Sequence, residues 1–432
     1  MSILSIEIFK KHNLTIKNYF WRFIQIFIKQ GTSFIIFYLS SYFLSPSDFG
    51  KYSYLMTIIF LLASFCDFGI SVSVNKQVVE IEDGSKEELN NLIFNSLLTV
   101  FFFSTVISSV FIFSWKYFFP NFFDYKFLIV SLIYIIPFSS ILDGIYRGLK
   151  KFKLLSIVVI LSSILSLLFL YPLIKYFDIT GSILSQVILY LLISILLFVF
   201  VGRLNYKFNF FYIKKILNYA IIVGIGSVAY FFYSRIDVFF LGKFNYFDQI
   251  SYFEIINKIN SIILLPIYIF AQVISPYITK HSYNKNYDLL IKKFKNFLLY
   301  SIILAFLLTL FMALIINPVV SMFFAKYYSE EFFSIFYILI FVLFISILNG
   351  IFPQGFMAST GDYDLVSKLL FIFGIINVLL DYIFIKQFGA IGIAYSSIIV
   401  VSLSNLLMIF MYYFRLVKKY EKEKLQKNNI NS

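Results

Sequence analysis

Residues 154–201 read LLSIVVILSSILSLLFLYPLIKYFDITGSILSQVILYLLISILLFVFV. Two apolar runs, 154–174 and 181–201, flank a short polar interruption, Lys175–Thr180. Each run has the length of about 20 residues that carries a helix across ~30 Å of hydrocarbon. The same pattern returns 211 positions later: Phe152/Tyr363, Ser156/Ser367, Tyr171/Tyr382, Lys175/Lys386, Phe177/Phe388, Gly181/Gly392 and Ser185/Ser396. A second correspondence, at an offset of 200, relates Asp48-Phe-Gly-Lys-Tyr52 to Asp248-Gln-Ile-Ser-Tyr252. Two matches in the same order predict an internal duplication. The longer inner segment at 275–295, compared with 76–91, supplies part of the difference in offset.

Working outward, similar runs occur at 20–43, 52–74, 92–114, 127–146, 217–240, 250–274, 296–317, 332–357, 366–385 and 390–413. With 60% hydrophobic and 13% charged residues, no soluble domain of this size could hide the apolar surface. The predicted fold is all-α and polytopic, with about 12 transmembrane helices in two six-helix lobes. The N-terminal lobe is 1–202, and the C-terminal lobe is 203–432 with a basic cytoplasmic tail. The basic segment Gly202–Lys215 bridges them. An even number of spans per repeat makes the two copies parallel, so the cleft between halves is the natural site and rocking the natural motion.

Charge sets the orientation. With the N-terminus inside, 26 of the 36 Lys and Arg fall in inner segments and 7 in outer loops. That asymmetry places both termini in the cytoplasm and accounts for the net charge of +14 without nucleic acid as a partner. The N-terminus reads as a retained first span, since Tyr19–Leu44 has no small-residue cleavage site. The single cysteine, Cys66, cannot form an intrachain disulfide, and with His12 and His281 it makes no metal-ligand cluster. No cofactor is expected.

Several stretches carry a family resemblance. Leu44-Ser-Pro-Ser-Asp-Phe-Gly-Lys-Tyr52 resembles an outer-loop pattern of polysaccharide-lipid flippases. So do Cys66-Asp-Phe-Gly-Ile70, Gly144-Ile-Tyr-Arg-Gly-Leu-Lys-Lys-Phe152, and Arg235-Ile-Asp-Val followed by Asp248–Tyr252. The family is the O-antigen and exopolysaccharide flippases, in the MOP superfamily that also holds the MATE antiporters and the lipid II flippase. The resemblance implies translocation of an undecaprenyl-diphosphate-linked oligosaccharide from the cytoplasmic to the outer leaflet of a bacterial inner membrane. It implies a transporter rather than an enzyme. Its partners would be the glycan lipid, membrane lipids and polysaccharide polymerase or assembly proteins, with H⁺ or Na⁺ as candidate coupling ions. The lipid II flippases typically have fourteen spans, and many drug antiporters place an Asp in span 1, where this chain has Lys29. Both departures favour the oligosaccharide-lipid branch.

Charged groups inside spans are functional candidates by default. Arg22, Gln25, Lys29 and Ser33 recur at steps of three or four, as do Ser64, Asp67, Ser71 and Asn75, and Glu254, Asn257, Lys258 and Ser261. Such stripes face protein or water rather than lipid. For an anionic diphosphate, the expected substrate path is Lys29, Arg235 and Lys258. Asp67, Asp143, Arg147 and Glu254 are the candidates for coupling or gating. Structural readings stand beside these. Glu254–Lys258 and Asp143–Arg147 have i,i+4 ion-pair spacing, Arg235 could snorkel or pair with another span, Lys29 could snorkel, and Asp67 could bond between helices. Asp381, with Asn377 one turn earlier, reads as bonding within its own lobe. The alternative function is a cation-coupled multidrug or metabolite exporter of the MATE type. A membrane-embedded glycosyltransferase or polymerase is disfavoured, because the longer outer segments, 115–126 and 318–331, contain no arginine.

Overall fold

A computed structural model describes residues 3–81, 86–201 and 207–431. Arg203, counted above in the bridge, lies outside the described residues, as does the side chain of His12. The long helices are α1 (Ile3–Phe43), α2 (Pro46–Asp67), α3 (Ile70–Glu80), α4 (Lys86–Phe118), α5 (Lys126–Gly148), α6 (Phe152–Val199), α7 (Phe210–Lys243), α8 (Phe247–Tyr283), α9 (Tyr287–Phe323), α10 (Glu330–Asn349), α11 (Tyr363–Phe388) and α12 (Ala390–Asn431). No strand occurs among the described residues.

Eleven helical stretches among the described residues are long and apolar enough to cross a membrane. The predicted twelve spans and these eleven agree once α6 is followed along its length. Its 48 residues would make a straight rod of ~72 Å, far beyond a bilayer. Instead the backbone reverses at Asp178 (φ 45°, ψ −121°). Ser166 Oγ donates to the Ser185 carbonyl at 2.9 Å across 19 residues, a separation of ~28 Å in an unbroken helix. α6 is therefore a hairpin of two spans. The opposite occurs in the second span, where α2 and α3 share one membrane-length stretch, Pro46–Glu80. The helix breaks at Phe68 (φ 36°) and Gly69 (φ 78°) and then resumes.

The chain packs as two compact units, Met1–Val228 and Ala229–Ser432. In the first, α1 lies along α6, and α5 packs on α2, α3 and α6. Small residues make the α3–α5 contact tight: a Cβ on Gly144 would come within 2.5 Å of the Ser71 carbonyl. The motif at Leu44–Tyr52 starts a helix. Ser45 Oγ accepts the Asp48 amide at 3.2 Å, Pro46 takes the first turn, and Asp48 accepts from Lys51 at 2.9 Å. This satisfies amides that a helix start leaves open.

In the second unit, α12 packs on α9, α10 and α11. A π-helical turn, Phe352–Met357, continues α10 against α8. Its apolar side joins an aromatic core in which Phe294 meets Phe352 at 4.7 Å and Tyr412 at 5.6 Å between centroids. Two cations of the basic tail turn back onto the protein. Arg415 donates to both Asp364 oxygens at 2.7 and 3.0 Å, and Lys419 donates to Asp362 at 2.6 Å. Outward faces are greasy, with Phe113 84% and Ile222 72% exposed, as a lipid-facing surface requires. The chain is a multipass membrane protein.

Candidate functional site

Each unit carries a polar cluster within its spans. In the first, Asp143 of α5 is the centre. It accepts from Gln25 Nε2 of α1 at 2.8 Å, its Oδ2 lies 2.7 Å from Arg147 Nε, and its Oδ1 lies 3.8 Å from Arg22 Nη1. Arg22 also donates to Gln25 Oε1 at 2.6 Å. The i,i+4 pair foreseen at Asp143–Arg147 thus extends to two residues of the α1 stripe. Gly144 and Gly148 set α5 close against α3 at the same level, and this holds the cluster at the helix ends.

Asp67 sits apart from that centre, at the break between α2 and α3. Its carboxylate accepts the Ser71 amide at 2.9 Å, the Ser71 hydroxyl at 2.7 Å and the Ser140 hydroxyl at 3.3 Å. It caps the resumed helix and ties it to α5, a structural task that its spacing to Ser71 already allowed. Lys29 is exposed on α1. No ion pair joins it to another described residue.

In the second unit, Arg235 of α7 and Glu254 of α8 pair at 2.5 Å between Nη1 and Oε1. Lys258, half-buried one turn further along α8, also feels the Glu254 charge. The structure thus brings Arg235, Glu254 and Lys258 together. Both sequence readings meet here, the cross-span pair for Arg235 and the i,i+4 neighbour for Lys258. The Arg235 side chain remains 45% exposed, so its guanidinium has donors left over after Glu254.

A third group was not assembled by the sequence reading. Asp237 of α7 and Asn377 and Asp381 of α11 are all buried. Asn377 Nδ2 donates to the carbonyls of Phe232 and Tyr233, at 3.4 and 3.3 Å, fixing α11 on α7. Ser396 of α12 donates to Asp381 Oδ1. Asp237 Oδ1, Asn377 Oδ1 and Asp381 Oδ2 have no hydrogen-bond partner among the described residues, and Asp237 and Asp381 act on each other electrostatically. Buried oxygens left open this way are costly. Asp237 and Asp381, each with one oxygen left open and within electrostatic reach, are oxygens of the kind a proton or a hard cation takes. The residues are some 140 positions apart, so no spacing rule could have joined them.

Comparison with known proteins follows from this geometry. Residues 15–282 match the family described as polysaccharide biosynthesis protein. The chain belongs to that family. A comparison with curated proteins finds no match. Among solved structures, family resemblance gives way to likeness of fold. A MOP superfamily transporter from Pyrococcus furiosus is 15% identical, with TM-score 0.61 over 94% of this chain and 96% of that one. The lipid II flippase MurJ, in an inward closed conformation, is 18% identical, with TM-score 0.61 over 93% and 89%. The MATE transporter VcmN of Vibrio cholerae, in a bent form, is 11% identical, with TM-score 0.58 over 94% and 98%. This member of the polysaccharide biosynthesis family therefore has the fold of MOP superfamily transporters along nearly its whole length.

Proposed function

We propose that this polysaccharide biosynthesis family member is a flippase. It would carry an undecaprenyl-diphosphate-linked oligosaccharide across a bacterial inner membrane by alternating access, with both termini cytoplasmic. The observation that supports this reading most is the Arg235–Glu254–Lys258 cluster. Arg235 pairs with Glu254 inside membrane-spanning helices, with Lys258 and Asp237 acting on the same two charges. A charge at mid-span costs ~2.5–3.5 kcal/mol on insertion scales. Arg with Lys supplies both a bidentate and a point-charge contact for a diphosphate. In the first unit, the Arg22–Gln25–Asp143–Arg147 cluster sets two guanidiniums around one carboxylate. Lys29, exposed on α1 of the first unit, is a further cationic contact proposed for the anionic cargo.

The Asp237–Asn377–Asp381 group suits a coupling H⁺ or Na⁺, a role first sought at Asp67, Asp143, Arg147 and Glu254. It would serve a cation-coupled exporter equally well. The cationic exposed cluster favours an anionic cargo over the cationic drugs such an exporter would move. Family membership and the transporter fold also favour transport over enzymatic synthesis of the polymer.

The test is the leaflet location of lipid-linked oligosaccharide in cells lacking this protein and any redundant flippase. The intermediate should build up on the cytoplasmic face, clear on re-expression, and stay trapped with Arg235→Ala or Lys258→Ala at normal protein levels. An unchanged distribution in the deletion strain would refute the flippase reading.

A further inference from the structure

The polar stripe on α8 does not stop at Ser261. Seven residues on, Tyr268, Gln272, Ser275 and Thr279 resume it at steps of three and four, and Tyr268, Gln272 and Thr279 are exposed. The character of the stripe changes along its length. Its N-terminal half is charged, with Glu254 and Lys258, and its C-terminal half is neutral and made of amide and hydroxyl groups.

The neutral half has a built counterpart. Pro353 and the π-helical turn Phe352–Met357 bring Gln354 beside Gln272, with Gln272 Nε2 3.4 Å from Gln354 Oε1. One turn on, the Ser275 and Ser359 hydroxyls are 2.7 Å apart. Gly355 permits the approach, since a Cβ there would meet the Ala271 carbonyl at 3.2 Å. Phe352 and Phe356 hold the other side of the turn in the aromatic core, so Gln354 is left exposed. The π turn closes its span, ending at Met357, and π turns are uncommon and concentrate at functional sites.

We propose that Gln272 and Gln354 form a glycan subsite that binds the sugar hydroxyls of the cargo, separate from the cations that bind its diphosphate. The assignment rests on the flippase reading above. A primary amide both donates and accepts hydrogen bonds, as a sugar hydroxyl does, whereas a diphosphate only accepts. Neutral amides therefore suit the glycan and cations suit the diphosphate. Lys258 and Gln272 are separated by ~21 Å along α8, so the two parts of an extended amphiphile have distinct places on one helix face. The bond between the two amides is long and readily exchanged for bonds to hydroxyls.

The experiment is transport in proteoliposomes of two lipids: the native undecaprenyl-diphosphate-linked repeat unit, and undecaprenyl diphosphate bearing a single sugar. Gln272→Leu/Gln354→Leu should slow the full repeat unit about tenfold more than the single-sugar lipid, the scale of one or two lost hydrogen bonds. Free oligosaccharide should inhibit the wild-type protein and not the double variant. Equal slowing of both lipids would make the amides mere helix packing, and no slowing of either would make them idle; both results overturn the proposal. Wild-type protein that moves neither lipid would refute the flippase reading itself, and the subsite with it.

Discussion

The hairpin of α6 and the hairpin of α11 and α12 are the same device built twice, 211 positions apart. Each reverses at a residue of positive φ, Asp178 (45°) in one and Gly389 (65°) in the other. Each closes on a glycine. A Cβ on Gly181 would fall 2.0 Å from the Leu173 carbonyl, and one on Gly392 would fall 2.2 Å from the carbonyl of the equivalent Phe384. Each puts a lysine over a tyrosine at its tip, Lys175 on Tyr171 and Lys386 on Tyr382, at 5.9 and 4.0 Å. Inside, they differ. The first hairpin buries Leu170 and Ser166, and the second has Asp381 and Asn377 at those places. The duplicated frame is held by backbone contact. The second copy has given its interior to polar groups, Asn377 bonded to α7 and Asp381 to Ser396.

The comparison breaks most readily at the glycines. Gly181→Ala and Gly392→Ala should each destabilise the protein by at least the upper part of the ~1–3 kcal/mol range for overpacking. Thermal melting in detergent checks this, and tolerance at one position only would show that the two closures are not equivalent.

Exchanging the buried residues sharpens it. Leu170→Asp should cost ~3 kcal/mol, because it buries a carboxylate in place of an apolar side chain even with Ser185, the counterpart of Ser396, as a candidate donor. Asp381→Leu should be near neutral or stabilising in melting, by up to ~1–4 kcal/mol, while transport is lost. Addition of Na⁺ should raise the melting temperature of the wild-type protein and not of Asp381→Leu. An Asp381→Leu protein that transports normally would make the polar interior of the second hairpin ornamental. The smallest effect is expected at the turn itself. Asp178→Gly removes the cost of a left-handed backbone at a residue with a side chain, a gain of about 1 kcal/mol.

Much of this fold was legible in the sequence, because a span is a local property. Twenty apolar residues specify a helix whatever they pack against, and the repeat relates the two hairpins by spacing alone. Asp143–Arg147 was legible for the same reason, as i,i+4 spacing is local. The second-span break at Phe68–Gly69 was not anticipated: Gly69 is needed there because α7 passes so close that a Cβ would lie 2.6 Å from the Ala220 carbonyl. Arg235–Glu254 was left open between snorkelling and pairing, since the packing of α7 on its neighbour decides it. Asp237 with Asp381 was not legible at all, because two buried carboxylates on different helices announce themselves only through contact.

Asp381 also bears on biosynthesis. Its hydroxyl donor, Ser396, comes from the last span. A nascent chain that ends before that residue leaves the carboxylate without that donor, at a cost of ~1–3 kcal/mol. A truncated copy would therefore sit poorly in the bilayer until degraded, while the completed one locks its final helix in place. The same carboxylate that suits a coupling ion in the mature protein thus reports, during insertion, whether synthesis has finished.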